Sequence, residues 1–415
     1  MAKGKIKVHS LTGRITSKLV FDAWRAVRRN RGAAGIDKVS VQMFENNLDA
    51  NLERLMREMK DGSFQPLPAK RVYIPKDAQG KKFRPLGIPA VRDRVAQEVL
   101  RRLLSPVFEP KFHDHSYGFR KGRGCHHAVQ KVLEIGRQGY RCVLDADISA
   151  FFDNLPHTVI MRELSNEVAD GNILRLVEKF LKAGVMEGGK LRRTRIGTPQ
   201  GGVASPLLAN IALNILDWHL QEHGFRFVRY ADDFVVLCQS EDQAKEALAR
   251  VQAFLADRLG LSLSPEKTKV TRFQEGFCFL GFDIKSRFVR IRSKSVENFK
   301  TKVREITRRC HNLDADMIVR LNRVIRGTAN YFVTPWSHCG DVCRTLDRWI
   351  RMRLRCMKFK RKSPVDNARV RLKHLRRMGL LSLTDLRAAC VAGSGGSPER
   401  SNFRGTARCG KSARR

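Results

Sequence analysis

The sequence predicts an α+β protein, and three observations carry that: helical periodicity through the first 65 residues, strands and helices in alternation from Tyr140 to Ile284, and a basic, helical final third. Near the start, Val20, Trp24 and Val27 fall on one helical face before the loop Asn30 to Asp37 interrupts. Pro66 to Pro89 holds short β-prone runs punctuated by Pro and Gly, a helix is expected from Asp93 to Leu104, and His113 to Gly124 is rich in turns.

Lys and Arg number 80 against 41 Asp and Glu, a formal net charge of +39, which calls for a polyanionic partner. Hydrophobic residues make up 42 %, enough for two or three packed domains, which excludes a disordered basic tail. No apolar run approaches the roughly 18 residues of a membrane span, and MAKGKIKVHSLTGR lacks a hydrophobic signal core. The expectation is a soluble, unsecreted chain without a membrane partner. Ten scattered cysteines read as reduced thiols of a cytosolic protein; Cys339 and Cys343, beside His338, lack the second pair a zinc site needs.

From Lys285 onward, 34 Lys and Arg face 9 Asp and Glu, so a net +25 sits in the last 131 residues. Val296, Phe299, Val303 and Ile306 mark one helix, Met317, Leu321, Val324 and Ile325 a second, and Val342, Leu346, Trp349 and Ile350 a third. On the third, Arg344, Arg348, Arg351 and Arg355 line one face, either as a track for a phosphate backbone or as an ordinary solvated stripe. Beyond Arg361 the composition turns to loops, and Gly393 to Arg415 is rich in Gly, Ser and Arg.

In so basic a chain, carboxylates inside apolar strands need a reason, because burying an unpaired charge is costly. RCVLDADISAFFDN, from Arg141, ends a short strand in Asp145 and Asp147, which share a face by period-two alternation. FRFVRYADDFVVLC, from Phe225, sets Asp232 and Asp233 at a bend between two strands. Carboxylates gathered at strand ends suit hard divalent cations, and paired ions serve in-line phosphoryl displacement. Taken alone, Asp-Asp is more often a turn than a metal site.

The combination resembles the reverse transcriptases, and within them the group II intron-encoded enzymes or maturases. It comprises YADD, the upstream Asp-x3-Phe-Phe-Asp and the intervening TPQGGVASPLLANIAL, with NRGAAGID (30–37), KRVYIPK (70–76), FRPLGIPAVRDRVAQ (83–97), SYGFRKGR (116–123), SPEKTK (264–269), FLGF (279–282) and LNRVIRGTANYF (321–332) in order. The resemblance implies a right-hand polymerase, fingers and palm on a small antiparallel palm sheet flanked by helices, followed by an α-helical thumb or maturase domain. The implied divisions are an N-terminal extension (1–65), fingers and palm (66–285), thumb and domain X (286–364), and a basic, partly disordered segment (365–415).

By the same resemblance Asp147, Asp232 and Asp233 are the catalytic carboxylates that hold two Mg2+ ions, with Mn2+ as an alternative, and Asp145 ranks second. Phe152 matches the aromatic that excludes a 2′ hydroxyl, core packing being its alternative. Lys76 and Arg84 match the triphosphate contacts, Gln200, Gly201 and Gly202 a nucleotide and template loop, and Lys267 a proton donor to pyrophosphate. Arg120, Lys121 and Arg123 interleave with Tyr117 and Phe119 as a template contact would. His113, His115, His126 and His127 lack ligand spacing and read as surface or core residues.

The function implied is RNA-directed DNA polymerisation with group II intron RNA, an RNA template, a DNA primer, dNTPs and a DNA target as partners, in the cytoplasm near the nucleoid of a prokaryotic host. A splicing cofactor with a vestigial polymerase, and a domesticated enzyme in repair or defence, are the alternatives. Without the paired cysteines and histidines of an HNH module, no endonuclease activity is expected.

Overall fold

The computed structural model describes residues 7–75, 83–192, 196–198, 201–286 and 288–393. The chain forms two compact units: one reaches residue 280 and includes 284–286, the other holds 281–283 and the chain from 287 on.

The first unit opens with α1 (Ser17–Arg29), α2 (Val41–Glu45) and α3 (Leu48–Asp61). Thr16 caps α1 by accepting the Leu19 N–H at 3.2 Å, and α1 buries Val20, Ala23, Trp24 and Val27 on the face that the spacing predicts. Next come β1 (Ala69–Pro75), β2 (Phe83–Ile88) and α4 (Val91–Phe108). That last helix outruns the expected Asp93 to Leu104. It buries Asp93, Arg94, Gln97 and Glu98 beside its apolar residues, and it runs on through Ser105 to Phe108 with Pro106 inside it, where a helix would be expected to stop.

Then follow α5 (Cys125–Arg137), β3 (Cys142–Asp147), α6 (Phe151–Asn154), α7 (His157–Ser165), α8 (Gly171–Lys182), β4 (Val185–Glu187) and β5 (Lys190–Arg192). The unit continues through α9 (Ser205–Glu222), β6 (Arg226–Tyr230), β7 (Asp233–Cys238), α10 (Glu241–Phe254) and β8 (Lys269–Arg272).

One sheet has the order β2-β1-β4-β5, and a second, wholly antiparallel, has the order β6-β7-β3-β8. β3 and β7 are apolar on both faces because both are covered: Val143, Leu144, Val235 and Val236 are all fully buried. One core joins Leu11, Trp24 and Met59 to Val95, Leu144, Leu213 and Val251, so packing is continuous across residue 65.

Short strands β9 (Phe277–Phe279), β10 (Phe282–Ile284) and β11 (Val289–Ile291) lie where one unit gives way to the next in sequence. The second unit contains α11 (Ser293–Ile306), α12 (Ala315–Phe332) and α13 (Gly340–Phe359), whose predicted apolar faces supply Phe299, Val303, Leu321, Ile325, Leu346 and Ile350 to its core. The expectation of loops beyond Arg361 is corrected by α14 (Asp366–Arg369), α15 (Leu372–Arg377) and α16 (Leu383–Gly393). Buried Asp347 of α13 accepts the backbone N–H groups of Leu383 at 2.8 Å and Thr384 at 2.9 Å, capping α16 from 36 residues upstream. A cap so distant leaves no local signal. Residues 394–415 lie outside the described set. Among the described residues no helix is long and apolar enough to cross a membrane.

Candidate active site

The palm sheet decides where the carboxylates meet. In the antiparallel pair of β3 and β7, Asp147 lies directly opposite Asp233 at one end of the ladder, and Tyr230 pairs with Asp233 across the two-residue turn that holds Ala231 and Asp232. Ala231 turns the chain at φ +59°, in the left-handed region that residues with a side chain seldom enter. Asp145, two residues up the strand, faces Val235 on one side and Lys269 on the other, away from the turn.

Lys267 donates to Asp147 Oδ2 at 2.7 Å. Its loop is fastened to the same strand end, since the Ser264 N–H donates to the Asp147 carbonyl at 2.7 Å. Burial pushes the pKa of Asp232 above the ordinary carboxylate value, and the charge of Asp147 adds to it; Arg84 and Arg229 pull the other way. Among the described residues no three His, Cys, Asp or Glu side chains converge as a metal cage. The donors still suit a hard cation: two carboxylates face each other across the ladder, and a third, destabilised by burial and by a like charge, would be relieved by positive charge.

Arg84 stands exposed on β2 opposite Ile74 of β1, near enough to Asp232 to act on it electrostatically. Gly201 adopts φ +113°, and a Cβ there would meet the Gly87 carbonyl oxygen of β2 at 2.6 Å. Glycine is therefore demanded by the chain's own backbone. The loop is also held by Gln97 of α4, whose Oε1 accepts the Val203 N–H at 2.7 Å, a contact with no sequence signal. Half-buried Phe152 packs against the first unit's core with Phe151 edge-on beneath it, and its carbonyl accepts the Thr198 N–H at 2.7 Å. Lys76 and Gln200 lie outside the described residues.

The basic residues divide. Arg120 is corrected: it is buried, donating to Glu109 Oε1 at 2.8 Å and to the carbonyls of His113 and Ser116, which leaves it no part in a surface contact. Lys121 is exposed, and Arg123 pairs with Asp114 at 2.8 Å. On α13, Arg344 and Arg348 are exposed and Arg351 is half-buried. Arg355, half-buried like Arg351, donates to the Val370 carbonyl at 2.9 Å and to Asn367, holding the segment after α13. Period alone aligns four guanidinium groups; the packing of residues 366–370 engages one of them.

His113 is buried between Phe227, Trp218 and His115, as a core histidine. Sequence reading missed Arg229, fully buried against Asp217. The signal was present: a cation inside the apolar run FRFVRY, and an aspartate inside the apolar helix ANIALNILDW, demand each other as much as buried carboxylates demand a reason.

Residues 74–284 match the family model described as "Reverse transcriptase (RNA-dependent DNA polymerase)", and residues 296–378 match "Group II intron, maturase-specific domain". The chain belongs to the group II intron family of reverse transcriptases. Its relatives include protein YkfC of Escherichia coli K12, 35 % identical over 313 residues, which cover 66 % of this chain and 81 % of that protein. The group II intron-encoded protein LtrA of Lactococcus lactis subsp. cremoris is 30 % identical over 336 residues, 65 % of this chain and 55 % of LtrA. The chain thus spans about half of LtrA but most of YkfC. Within this reverse-transcriptase family, the sheet carrying Asp147, Asp232 and Asp233 lies inside the polymerase-matched segment, and α12, α13 and most of α11 inside the maturase-matched one.

Proposed function

We propose that the chain is an RNA-directed DNA polymerase that binds group II intron RNA, assists its splicing and copies it during intron mobility. The observation that carries this reading is the register that sets Asp147 opposite Asp233, with Asp232 on the adjoining turn. These three carboxylates would hold divalent cations, Mg2+ first and Mn2+ in its place, which when bound neutralise triphosphate charge and acidify a primer hydroxyl. Arg84 then offers a guanidinium fork to a dNTP triphosphate, joined by Lys76 and Gln200 on the strength of their motifs. Phe152 presents a flat ring that rejects a 2′ hydroxyl by contact. Lys267, already beside Asp147, is placed to give a proton to departing pyrophosphate.

RNA binding in this reading falls to Lys121, Arg123, Arg344, Arg348 and Arg351 within the large positive charge of the last third, and DNA serves as primer and target. Action near the nucleoid of a prokaryotic host follows from that partner set. The test is dNTP incorporation on an RNA template with a DNA primer and Mg2+, wild type against Asp232→Ala. Activity lost in the mutant alone, with RNA affinity kept, is the expected result. No activity in either, with tight RNA binding, overturns it in favour of a splicing cofactor.

A further inference from the structure

A buried ion pair grips the turn that carries Asp232. We propose that Arg229 is a positioning residue for the palm carboxylates, acting through the Ala231 carbonyl and anchored by Asp217 and Asn210 of α9. This rests on the polymerase reading above.

Arg229 is fully buried on β6, three residues before Asp232. Its Nε donates to Asp217 Oδ1 at 2.7 Å and its Nη2 to Asp217 Oδ2, a bidentate fork on a carboxylate that is itself fully buried. The remaining nitrogen, Nη1, donates to Asn210 Oδ1 at 3.0 Å and to the Ala231 carbonyl at 2.9 Å. That carbonyl belongs to the peptide whose nitrogen is Asp232's own, so the guanidinium fixes the plane from which Asp232 departs.

The opposite side is closed as well. Asn210 donates through Nδ2 to the Gly118 carbonyl at 2.8 Å, and a Cβ on Gly118 would meet the Ala231 nitrogen at 2.3 Å. Ala231 therefore sits at φ +59° between the Gly118 backbone and the Arg229 fork. An L residue holds such a conformation only where its surroundings over-determine it, and these contacts do so. A staple between β6 and α9 needs only the two bonds to Asp217. The bond to Ala231 is additional, and a planar guanidinium holds both partners in fixed directions at once, whereas a lysine ammonium has no such fork.

Removing one member of a buried pair strands the other, so the test uses two variants: Arg229→Lys, and the paired apolar replacement Arg229→Met with Asp217→Leu, which leaves no orphan charge. Both are made in the full chain and assayed by thermal melting, template–primer affinity, primer-extension kcat and KM, and the Mg2+ concentration for half-maximal rate. Either folded variant decides the question. Displacing the turn should lower kcat about ten- to a hundredfold. It should also raise the Mg2+ midpoint several-fold, with template–primer affinity kept. A mere staple would lower the melting temperature and the active fraction while leaving the Mg2+ midpoint unmoved, and that result overturns the proposal. An inactive wild type would sink the polymerase reading instead. Mn2+ affinity by calorimetry then decides: weaker in Arg229→Lys than in wild type upholds positioning, and equal affinity rejects it.

Discussion

Lys267 and Asp147 form an ion pair of 2.7 Å although 120 residues separate them, and the ammonium thereby occupies one oxygen of a carboxylate proposed to hold a cation. The pair is well exposed, with 65 % of the lysine side chain and 40 % of the aspartate accessible, so its stability is that of a surface contact, under about 1 kcal/mol. Replacing Lys267 with Met should therefore free Asp147 and lower the Mg2+ midpoint by at most about fivefold. Loss of the proton donor should at the same time reduce kcat. A rise in the Mg2+ midpoint would mean that Lys267 orders Asp147 rather than competing for it.

Phe152→Ala tests the sugar gate. The ring is half-buried and rests edge-on against buried Phe151, so truncation opens a space without emptying the core. Ribonucleotide incorporation should rise about tenfold or more relative to deoxyribonucleotide, the scale of a lost steric contact in a pocket. Unchanged selectivity returns Phe152 to a packing role.

Gly201→Ala sets backbone against side chain. Its φ of +113° is strained for alanine, and the new Cβ would press on the Gly87 carbonyl of β2. The variant should lose about 1–3 kcal/mol of stability in urea unfolding and shift the loop ahead of α9. Full stability with reduced nucleotide affinity would assign the glycine to the substrate instead of to β2.

The palm was legible because its strands are covered on both faces and its carboxylates interrupt otherwise apolar runs, so Asp145, Asp147, Asp232 and Asp233 stand out, and only the motif resemblance set Asp145 apart from the other three. Helices α11 to α13 were legible from period alone, whereas α14 to α16, short and closely spaced, were not. What sequence could not reveal were the long-range partners: Asp347 capping α16, Gln97 holding the loop at Val203, and Arg120 turned inward onto Glu109. Each is a polar side chain whose meaning is fixed by backbone brought from elsewhere in the fold. Arg229 differs, since its apolar strand announced it.

The stripe on α13 separates into two behaviours. Gln at Arg344 and Arg348, both exposed, should flatten the salt dependence of RNA binding by about 0.7 in log–log slope for each lost phosphate contact and leave melting unchanged. Gln at Arg355 removes donors to the Val370 carbonyl and Asn367, so it should lower thermal stability instead. An unchanged slope in the first variant would make that face a solvated one.

His115 makes stability depend on pH with a definite sign. Burial, followed by the charges of His113, Lys131 and Arg226, depresses its pKa from 6.5 to about 4, and Asp114 only partly opposes them. Between those values the unfolded chain binds a proton that the folded chain refuses, so this residue's contribution is fully present above pH 6.5 and is lost as pH falls towards 4. At pH 5 the loss should be about 2 kcal/mol, from 1.4 kcal/mol per unit. Glutamine cannot titrate there. The stability of wild type relative to His115→Gln, read from urea unfolding, should therefore fall by about 2 kcal/mol between pH 7.5 and pH 5. Parallel profiles would mean that the imidazole charges as readily in the fold as in the unfolded chain, and that the packing of Phe227 against it does not exclude water.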